Sequence, residues 1–170
     1  MAESRSAEQR VALVTGSYDP ITVGHMHLIR VAAGLFDTVY VAICANTEKP
    51  SGAFLPADRV TLAQDAVERA GLDNVHVVLC PGLVSDTARA CGAQYLVRGL
   101  RNGMDFAYEY DLAGIMKRFD PALETIFLPT DPTLACVSAT YVRDLLKYDC
   151  PLDEAVPNGE LTRALYQKKA

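Results

Sequence analysis

The segment from Gly16 to His25, which reads Gly-Ser-Tyr-Asp-Pro-Ile-Thr-Val-Gly-His, combines small residues with a hydroxyl, a carboxylate and an imidazole. Gly16 and Ser17 would let a ligand approach the backbone closely, and Gly24 and His25 stand where a helix is expected to begin. The first turn of a helix offers unpaired N–H groups and the positive end of the helix dipole, which bind anions. The segment therefore predicts an anion site.

Helical phase separates two histidines in this region. His25 shares a face with the apolar residues of the expected helix, and His27 aligns with Arg30 and should point to solvent. A histidine at this position could equally be a hydrogen-bonded cap of the helix. The neighbouring Ser17 and Asp19 favour a functional role for His25. The apolar stripe of that helix is formed by Leu28, Ile29, Ala32, Leu35 and Phe36.

Two common nucleotide signatures are absent, since the chain has neither a G-x-x-x-x-G-K-[ST] loop nor a G-x-G-x-x-G turn. Phosphates must therefore be held by other groups. Arg98 closes an expected strand beside Gly99 and could offer its two-pronged guanidinium to a phosphate, although a surface salt bridge is the alternative. Ser138 and Thr140 stand at the start of an expected helix, where they could cap it, receive phosphates, or both.

Short apolar runs alternate with helical patterns along the whole chain. Strands are predicted over residues 11–15, 38–44, 75–79, 95–97 and 125–128. Helices are predicted over residues 24–36, 56–70, 84–91, 104–119, 139–148 and 159–168. This alternation indicates an α/β fold, a Rossmann-like doubly wound five-stranded parallel sheet with helices on both faces. The helix over 104–119 is expected to pack through a stripe of Met104, Tyr108, Leu112, Ile115 and Phe119.

In such a sheet, ligands bind beyond the carboxyl ends of the strands where the strand order reverses. We expect one domain over residues 11–170 after a flexible tail of residues 1–10, because 170 residues suit a single core. Residues 49–53 have the composition of a mobile surface loop.

Charge and cysteine content narrow the class of protein. A net charge of −5 provides no general basic field for nucleic acid or an anionic membrane. The five cysteines lack metal-ligand spacing and are expected to be reduced thiols, with Cys44, Cys80 and Cys136 in the core. No signal peptide or apolar run long enough for a membrane span is present, so a cytoplasmic protein is expected.

Five ordered motifs carry a resemblance to a known family. The segment ending in Thr22-Val-Gly-His25 resembles the T/H-x-G-H signature of nucleotidyltransferases, in the form found in the phosphopantetheine adenylyltransferase family. The other four motifs are similar to that family's lysine loop, R-G-L-R turn, D-F-x-Y-E helix start and serine-containing segment before a helix. They are Asn46-Thr-Glu-Lys49, Leu96-Val-Arg-Gly-Leu-Arg101, Asp105-Phe-Ala-Tyr-Glu109 and Val137-Ser-Ala-Thr-Tyr-Val-Arg143.

The resemblance implies transfer of AMP from ATP to 4′-phosphopantetheine, giving dephospho-coenzyme A and pyrophosphate, with Mg²⁺ bound through the ATP phosphates. It implies that His25 stabilises the transition state and that Lys49 and Arg98 assist catalysis. Phosphopantetheine would contact Ser17, Lys49, Val84 and Arg98. ATP would contact Ser17, Tyr18, His25, Gly99, Leu100, Arg101, Glu109, Leu134, Ala135, Cys136, Val137, Ser138, Ala139 and Thr140. The family also implies a homohexamer, and coenzyme A could compete for the pocket as a feedback inhibitor.

The chain departs from the family pattern at several positions. Ala139 stands where a serine is common, Met116 where asparagine is frequent, and the loop after Lys49 is one residue longer. Other superfamily members, such as a nicotinate-mononucleotide adenylyltransferase or a glycerol-phosphate cytidylyltransferase, are the nearest alternatives, although they usually keep both histidines of H-x-G-H. A non-catalytic nucleotide sensor and a hydride-transferring Rossmann enzyme are further alternatives, the latter with little support without the glycine fingerprint.

Overall fold

The protein, described from a computed structural model over residues 9–45 and 51–169, contains one sheet of five parallel strands. The strand order is β3-β2-β1-β4-β5. The strands are β1 (Val11–Gly16), β2 (Thr38–Cys44), β3 (Val75–Cys80), β4 (Tyr95–Leu100) and β5 (Glu124–Pro129). The helices are α1 (Val23–Leu35), α2 (Pro56–Arg69), α3 (Val84–Cys91), α4 (Gly103–Phe119), α5 (Ala139–Lys147) and α6 (Gly159–Lys169), and a 3-10 turn spans Pro132–Leu134.

Strand β1 runs through the centre of the sheet and is buried on both faces. Ala12, Leu13 and Val14 are all inaccessible to solvent. Ala12 and Val14 pack with α1, α2, α5 and α6, and Leu13 packs with α3 and part of α4 on the other face. Because successive strand residues face opposite sides, a continuous apolar run is what a strand covered on both faces requires. The predicted fold class is confirmed.

The strand order reverses at β1, which pairs with β2 on one side and β4 on the other. The carboxyl ends of β1 and β4 therefore diverge into a crevice, the place where ligands bind in open α/β sheets. Gly16 ends β1 and Leu100 ends β4. Strand β4 extends beyond the predicted residue 97 because Arg98, Gly99 and Leu100 continue the pairing with β5.

Helix α4 contradicts the predicted packing stripe. None of its residues is buried, and Met104 and Tyr108 are 82% and 65% exposed. The predicted residues do share one face of the helix, but within one chain most of that face has no other element to pack against. Apolar periodicity alone therefore does not establish that a face is covered by the same chain.

Two smaller expectations are also wrong. Leu35 lies at the last turn of α1 and is 46% exposed, since the helix ends there and Phe36 alone turns into the core. Cys136 is exposed in the loop before α5, whereas Cys80 is buried as predicted and Cys44 is partly buried. Among the described residues, no helix has the length and apolar character needed to cross a membrane.

Candidate active site

The start of α1 explains the spacing of Thr22 and His25. Thr22 is the N-cap, and its hydroxyl accepts a hydrogen bond from the His25 backbone N–H at 3.3 Å. The His25 ring reaches back, so that its Nδ1 accepts from the Thr22 backbone N–H at 3.0 Å. This reciprocal arrangement is a capping box with a histidine where glutamate or glutamine is usual.

The same contacts fix the protonation of His25. A backbone N–H can only donate, so Nδ1 must be the acceptor and the proton of the neutral ring lies on Nε2. Burial, with a smaller effect of the Arg101 charge, lowers the pKa of His25 to about 4. Near neutral pH the ring is therefore a neutral Nε2–H donor.

The sequence suggested that the first turn of α1 has unpaired N–H groups, but protein contacts already engage some of them. The Val23 N–H donates to the carbonyl oxygen of Ala155, and the His25 N–H is held by Thr22. Two backbone donors of the first turn of α1 are thus already engaged. The imidazole offers the hydrogen-bond donor in their place.

Tyr18 packs beneath this turn. Its side chain is 2% exposed, its ring edge lies against the His25 ring with centroids 5.0 Å apart, and its hydroxyl donates to the Val14 carbonyl. A Cβ atom at Gly16 would lie 3.0 Å from the Tyr18 ring, so this close approach favours glycine. Burial raises the pKa of Tyr18 well above its usual value. Tyr18 is therefore uncharged near neutral pH and supports the His25 ring by packing against it.

A cavity of about 420 Å³, hereafter the histidine cavity, opens in front of His25 at the ends of β1 and β4. It is bounded by the start of α1, the start of α4, and the loop leading into α5. Its lining comprises Thr15, Gly16, Tyr18, Thr22, Gly24, His25, Leu28, Arg98, Gly99, Arg101, Asp105, Tyr108, Glu109, Thr130, Leu134, Val137, Ser138, Ala139 and Thr140.

Most of the predicted ATP contacts line this cavity, but not all of them. Leu100, Ala135 and Cys136 do not, and Ser17 faces a different cavity. Lys49 lies outside the described residues. Asp105 and Tyr108 were not predicted as site residues, yet they line the cavity with Glu109 because positions three and four apart share a helix face.

Arg98 is engaged by protein groups on all three guanidinium nitrogens. Its Nε and one Nη donate to the two Glu109 carboxylate oxygens at 2.7 and 2.6 Å, a bidentate pair. The other Nη donates to the carbonyl and hydroxyl oxygens of Thr15 at 2.7 and 2.6 Å. Burial lowers the pKa of Arg98, but the hydrogen bonds and charge of Glu109 outweigh it and raise the pKa overall. The structure therefore shows the salt-bridge alternative, in a partly buried position, and phosphate binding by Arg98 stays a prediction.

The other cation of the histidine cavity is also paired. The Nε of Arg101 lies 3.0 Å from a carboxylate oxygen of Asp105, which is in the first turn of α4. The lining thus carries two arginines and two carboxylates. The neutral His25 adds no charge, so this wall is polar without a net positive charge.

A second cavity of about 310 Å³, hereafter the sulfur cavity, lies on the other side of the Arg98–Glu109 pair. It shares Thr15, Gly16, Arg98 and Glu109 with the histidine cavity. Its remaining lining is mostly apolar: Ser17, Cys44, Val84, Leu96, Leu112, Ala113, Met116 and Thr125. Burial, and the adjacent Cys80 thiol, raise the pKa of Cys44 to about 12, so this thiol stays uncharged near neutral pH.

The start of α5 closes the far side of the histidine cavity. Ser138 is the N-cap, and its hydroxyl accepts from the Tyr141 N–H at 3.1 Å. Capping is therefore the observed role of this hydroxyl. Ala139 and Thr140 follow in the first turn of α5 and line the cavity.

Comparison with known proteins gives a consistent result. Residues 13–145 match the cytidylyltransferase-like family model. A phosphopantetheine adenylyltransferase from Streptococcus gordonii is 39% identical over 163 residues, covering 94% of this chain and 98% of that protein. Another phosphopantetheine adenylyltransferase, from Limosilactobacillus fermentum, is 40% identical over 136 residues, covering 80% of this chain and 77% of that protein.

Solved structures support the fold. A bifunctional NMN adenylyltransferase/ADP ribose pyrophosphatase from Francisella tularensis, complexed with AMP and a manganese ion, superimposes with a TM-score of 0.70. The superposition covers 95% of this chain and 49% of that chain, at 16% sequence identity. At this identity the likeness concerns the architecture alone.

Proposed function

Since the chain belongs to the phosphopantetheine adenylyltransferase family, we infer that it transfers the adenylyl group of ATP to 4′-phosphopantetheine, giving dephospho-coenzyme A and pyrophosphate. The observation that carries this function is the pair of adjoining cavities. One is polar and contains His25, the other is apolar, and they meet at Gly16 and Arg98. A reaction between two substrates needs two such sites with a common boundary.

The polar histidine cavity suits ATP and the apolar sulfur cavity suits the pantetheine arm. In this arrangement, a phosphate oxygen of phosphopantetheine attacks the α-phosphorus of ATP at the boundary of the cavities. A new P–O bond forms as the bond from the α-phosphorus to the bridging oxygen breaks, and pyrophosphate leaves with that electron pair. The attacking oxygen is already anionic near neutral pH, so positioning and electrostatic stabilisation are enough.

His25 serves as the hydrogen-bond donor to the α-phosphate. Its Nε2–H is fixed by the contact between Nδ1 and Thr22, so the donor is oriented before the substrate binds. A preorganised donor of this kind stabilises the charge that develops in the transition state without any reorganisation at that moment. Neutrality is useful here because the ring does not lose a proton to the phosphate.

Arg98 contacts the phosphate of phosphopantetheine in this proposal. A phosphate has the same bidentate geometry as the carboxylate that now occupies the guanidinium fork. Substrate binding therefore exchanges part of the Glu109 contact for a phosphate contact. Ser17 and the backbone at Val84 line the same substrate's cavity, and Lys49 is proposed as the further cation.

The ATP phosphates are proposed to lie between Arg101 and the first turn of α5. Thr140 and the backbone of Ala139 line this side of the histidine cavity. Because Ser138 is used as the cap, the remaining donors are backbone N–H groups and the Thr140 hydroxyl. Leu134 and Val137 offer a less polar wall for the adenine.

Mg²⁺ is proposed to enter with ATP. No group of three acidic, histidine or cysteine residues placed to hold a metal is present in residues 9–45 and 51–169. The two carboxylates of the histidine cavity are each engaged by an arginine. The residues present therefore fit an ion held by ATP phosphate oxygens and water, which is the usual mode for Mg²⁺. When bound, the ion would neutralise charge on the leaving pyrophosphate.

A homohexamer is proposed as the functional assembly. Its support is the exposed aromatic and aliphatic face of α4, since patches of this kind mark protein–protein contacts. The large apolar side chains exposed on that face are Met104, Tyr108, Ile115 and Phe119, and Phe106 and Tyr110 are exposed on another side of the helix.

Coenzyme A is proposed as a competing ligand, because it carries the same pantetheine arm that suits the sulfur cavity. A titration in which coenzyme A raises the apparent KM for phosphopantetheine would support competition. Failure of coenzyme A to displace bound phosphopantetheine would rule it out.

A cytoplasmic location is proposed for the protein. The five cysteines are free in the structure, which agrees with a reducing compartment. Fractionation of the native host followed by detection of this chain would test the proposal.

The test of the function is a coupled pyrophosphate assay on the purified protein with ATP and 4′-phosphopantetheine, with and without Mg²⁺. We expect pyrophosphate and dephospho-coenzyme A in equal amounts. Parallel reactions contain nicotinate mononucleotide or glycerol phosphate with ATP or CTP. Pyrophosphate release with one of those acceptors but not with phosphopantetheine would overturn the assignment.

A further inference from the structure

Asp19 is a buried carboxylate that lines neither cavity, although it follows Ser17 by two residues. It is 6% exposed, and its two oxygens accept from the backbone N–H groups of Ala53 at 2.9 Å and Phe54 at 2.8 Å. Arg59 lies 3.3 Å away from the same carboxylate. The group is therefore fully engaged and is not available to a ligand.

Arg59, on α2, is 4% exposed and extends the contacts of Asp19. It donates to the carbonyl oxygen of Phe54 at 3.0 Å, to that of Ser17 at 3.3 Å, and to that of Ser51. One buried side chain thus holds both the segment before α2 and the peptide of a residue that lines the sulfur cavity.

Arg143, on α5, links the same loop to the other substrate's cavity. One of its Nη atoms donates to the carbonyl oxygen of Asp19 at 2.7 Å, and the other donates to the Thr140 hydroxyl at 2.8 Å. Thr140 lines the histidine cavity, whereas Arg143 lines neither cavity. Asp19, Arg59 and Arg143, hereafter the Asp19 network, therefore join the walls of both cavities from behind.

We propose that the Asp19 network is a positioning device that fixes the Ser17 loop and the first turn of α5 relative to each other, and so sets the alignment of the two substrates. This inference rests on the proposed two-substrate reaction. In-line displacement depends on the relative placement of the attacking oxygen and the α-phosphorus, and a misplacement of about 1 Å costs on the order of 100-fold in rate.

The burial of Asp19 and Arg59 supports positioning as the role of the network. A buried ion pair adds little net stability compared with apolar residues of the same volume, but it has a defined geometry because each charge needs its partner. Here the charges meet backbone groups of residues 51–54 and of the Ser17 to Asp19 loop, and Arg143 contributes its side chain from a third segment, α5. The network therefore specifies how these segments meet.

The decisive experiment compares Arg143→Ala with Arg69→Ala in the full chain. Both arginines are on helices and partly exposed, and Arg69 pairs only with Asp65 in the described contacts. We expect Arg143→Ala to lower kcat by about 10- to 100-fold, with the Kd values of ATP and phosphopantetheine measured separately within about threefold of wild type. The melting temperature should change no more than in Arg69→Ala.

A second variant tests the buried pair. Asp19→Asn keeps the size of the side chain and one acceptor, but it removes the charge that faces Arg59. Combined with Arg143→Ala, it should lower kcat by less than the product of the two single effects, because both act on one alignment. If Asp19→Asn does not fold, the Arg143→Ala comparison alone decides.

The outcomes separate this inference from the proposed function. An active wild type in which Arg143→Ala matches Arg69→Ala overturns the positioning role and leaves the function standing. A loss confined to the Kd of ATP would also overturn it, because Arg143 would then be a direct ligand. A wild type that produces no pyrophosphate with any acceptor removes the function and with it the inference.

Discussion

The histidine cavity is lined by an imidazole, hydroxyls and two arginine–carboxylate pairs, whereas the sulfur cavity is lined mainly by carbon and sulfur. They share Thr15, Gly16, Arg98 and Glu109. A substitution of a residue that lines only one cavity should therefore change the kinetic constants of one substrate. A substitution of a residue that lines both cavities should change those of both substrates. The division of the site into two cavities follows from the strand order, since β1 and β4 end on either side of the boundary.

The largest expected effect comes from His25→Ala. Removing the preorganised Nε2–H donor should lower kcat by about 100- to 1,000-fold, while the Kd of ATP changes little, because the donor matters most in the transition state. Steady-state kinetics and a separate binding titration with a non-hydrolysable ATP analogue would measure this.

The matched control for His25→Ala is His76→Ala. His76 is an exposed histidine near the start of the edge strand β3, and it lines neither cavity. The His76→Ala substitution should leave kcat unchanged. Equal kinetics for the two variants would show that His25 is only a helix cap, as the sequence alone allowed.

Arg98→Ala should have the next largest effect, and it should affect both substrates. It removes a charge-assisted fork and leaves the Glu109 carboxylate without its partner at the boundary. We expect kcat/KM to fall by roughly 10- to 100-fold for ATP and for phosphopantetheine alike, from the value of hydrogen bonds to charged groups. A fall in kcat/KM for only one of the two substrates would show that Arg98 does not serve both cavities.

Glu109→Gln is the companion measurement for Arg98→Ala. If the carboxylate competes with substrate phosphate, neutralising it should leave the KM for phosphopantetheine equal to or below that of wild type. If Glu109 instead contacts ATP directly, the KM for ATP should rise. Isothermal titration with each substrate would distinguish the two roles.

Met116→Ala should have a smaller effect that is confined to one side. Met116 lines the sulfur cavity only, and shortening it removes apolar contact with the pantetheine arm. We expect the KM for phosphopantetheine to rise by about tenfold from the value of buried methylene groups, with no change for ATP. Leu35→Ala, an exposed apolar residue of α1 that lines neither cavity, is the control.

The smallest expected effect is a constant ratio of wild-type to His25→Ala activity across pH. The pKa of His25 is lowered to about 4 by burial, so the ring stays neutral from about pH 5.5 to about pH 8, whereas an ordinary histidine titrates near 6.5. Taking the ratio cancels the titration of the substrate phosphate. A step in the ratio near pH 6.5 would contradict the neutral donor.

The same pKa has a consequence for stability. Between pH 6.5 and about 4 the unfolded chain binds more protons at this position than the folded chain. The contribution of His25 to the free energy of unfolding is therefore fully present above pH 6.5 and declines as the pH falls toward 4. Denaturant titrations of wild type and His25→Ala across this window would measure the difference.

The sequence predicted the elements well because buried strands and amphipathic helices have distinct periodicities. Continuous apolar runs identified β1 and β2, and the helix pattern identified α2 and α3 almost to the residue. An apolar pattern could not show whether another part of the same chain covers the helix face or loop that carries it. The stripe on α4 and the apolar surroundings of Cys136 both indicated burial, and both are exposed in the single chain.

Within the site, the sequence identified His25, Arg98 and Glu109 but not their relations. The capping box between Thr22 and His25 is local, spans three residues, and could have been predicted from the spacing. The bidentate pair of Arg98 and Glu109 joins a strand to a helix and could not, because charge alone does not say which partner a side chain meets.

The sequence by itself determined the fold class, the family, and the histidine at the start of α1, since these depend on periodicity and on residues close together in the chain. Only the tertiary structure decided that two cavities meet at Arg98, that Glu109 occupies the arginine fork, and that Asp19 joins three segments. The reason is physical. Such contacts connect residues 11 to 124 positions apart, and their geometry exists only once the sheet and helices have packed.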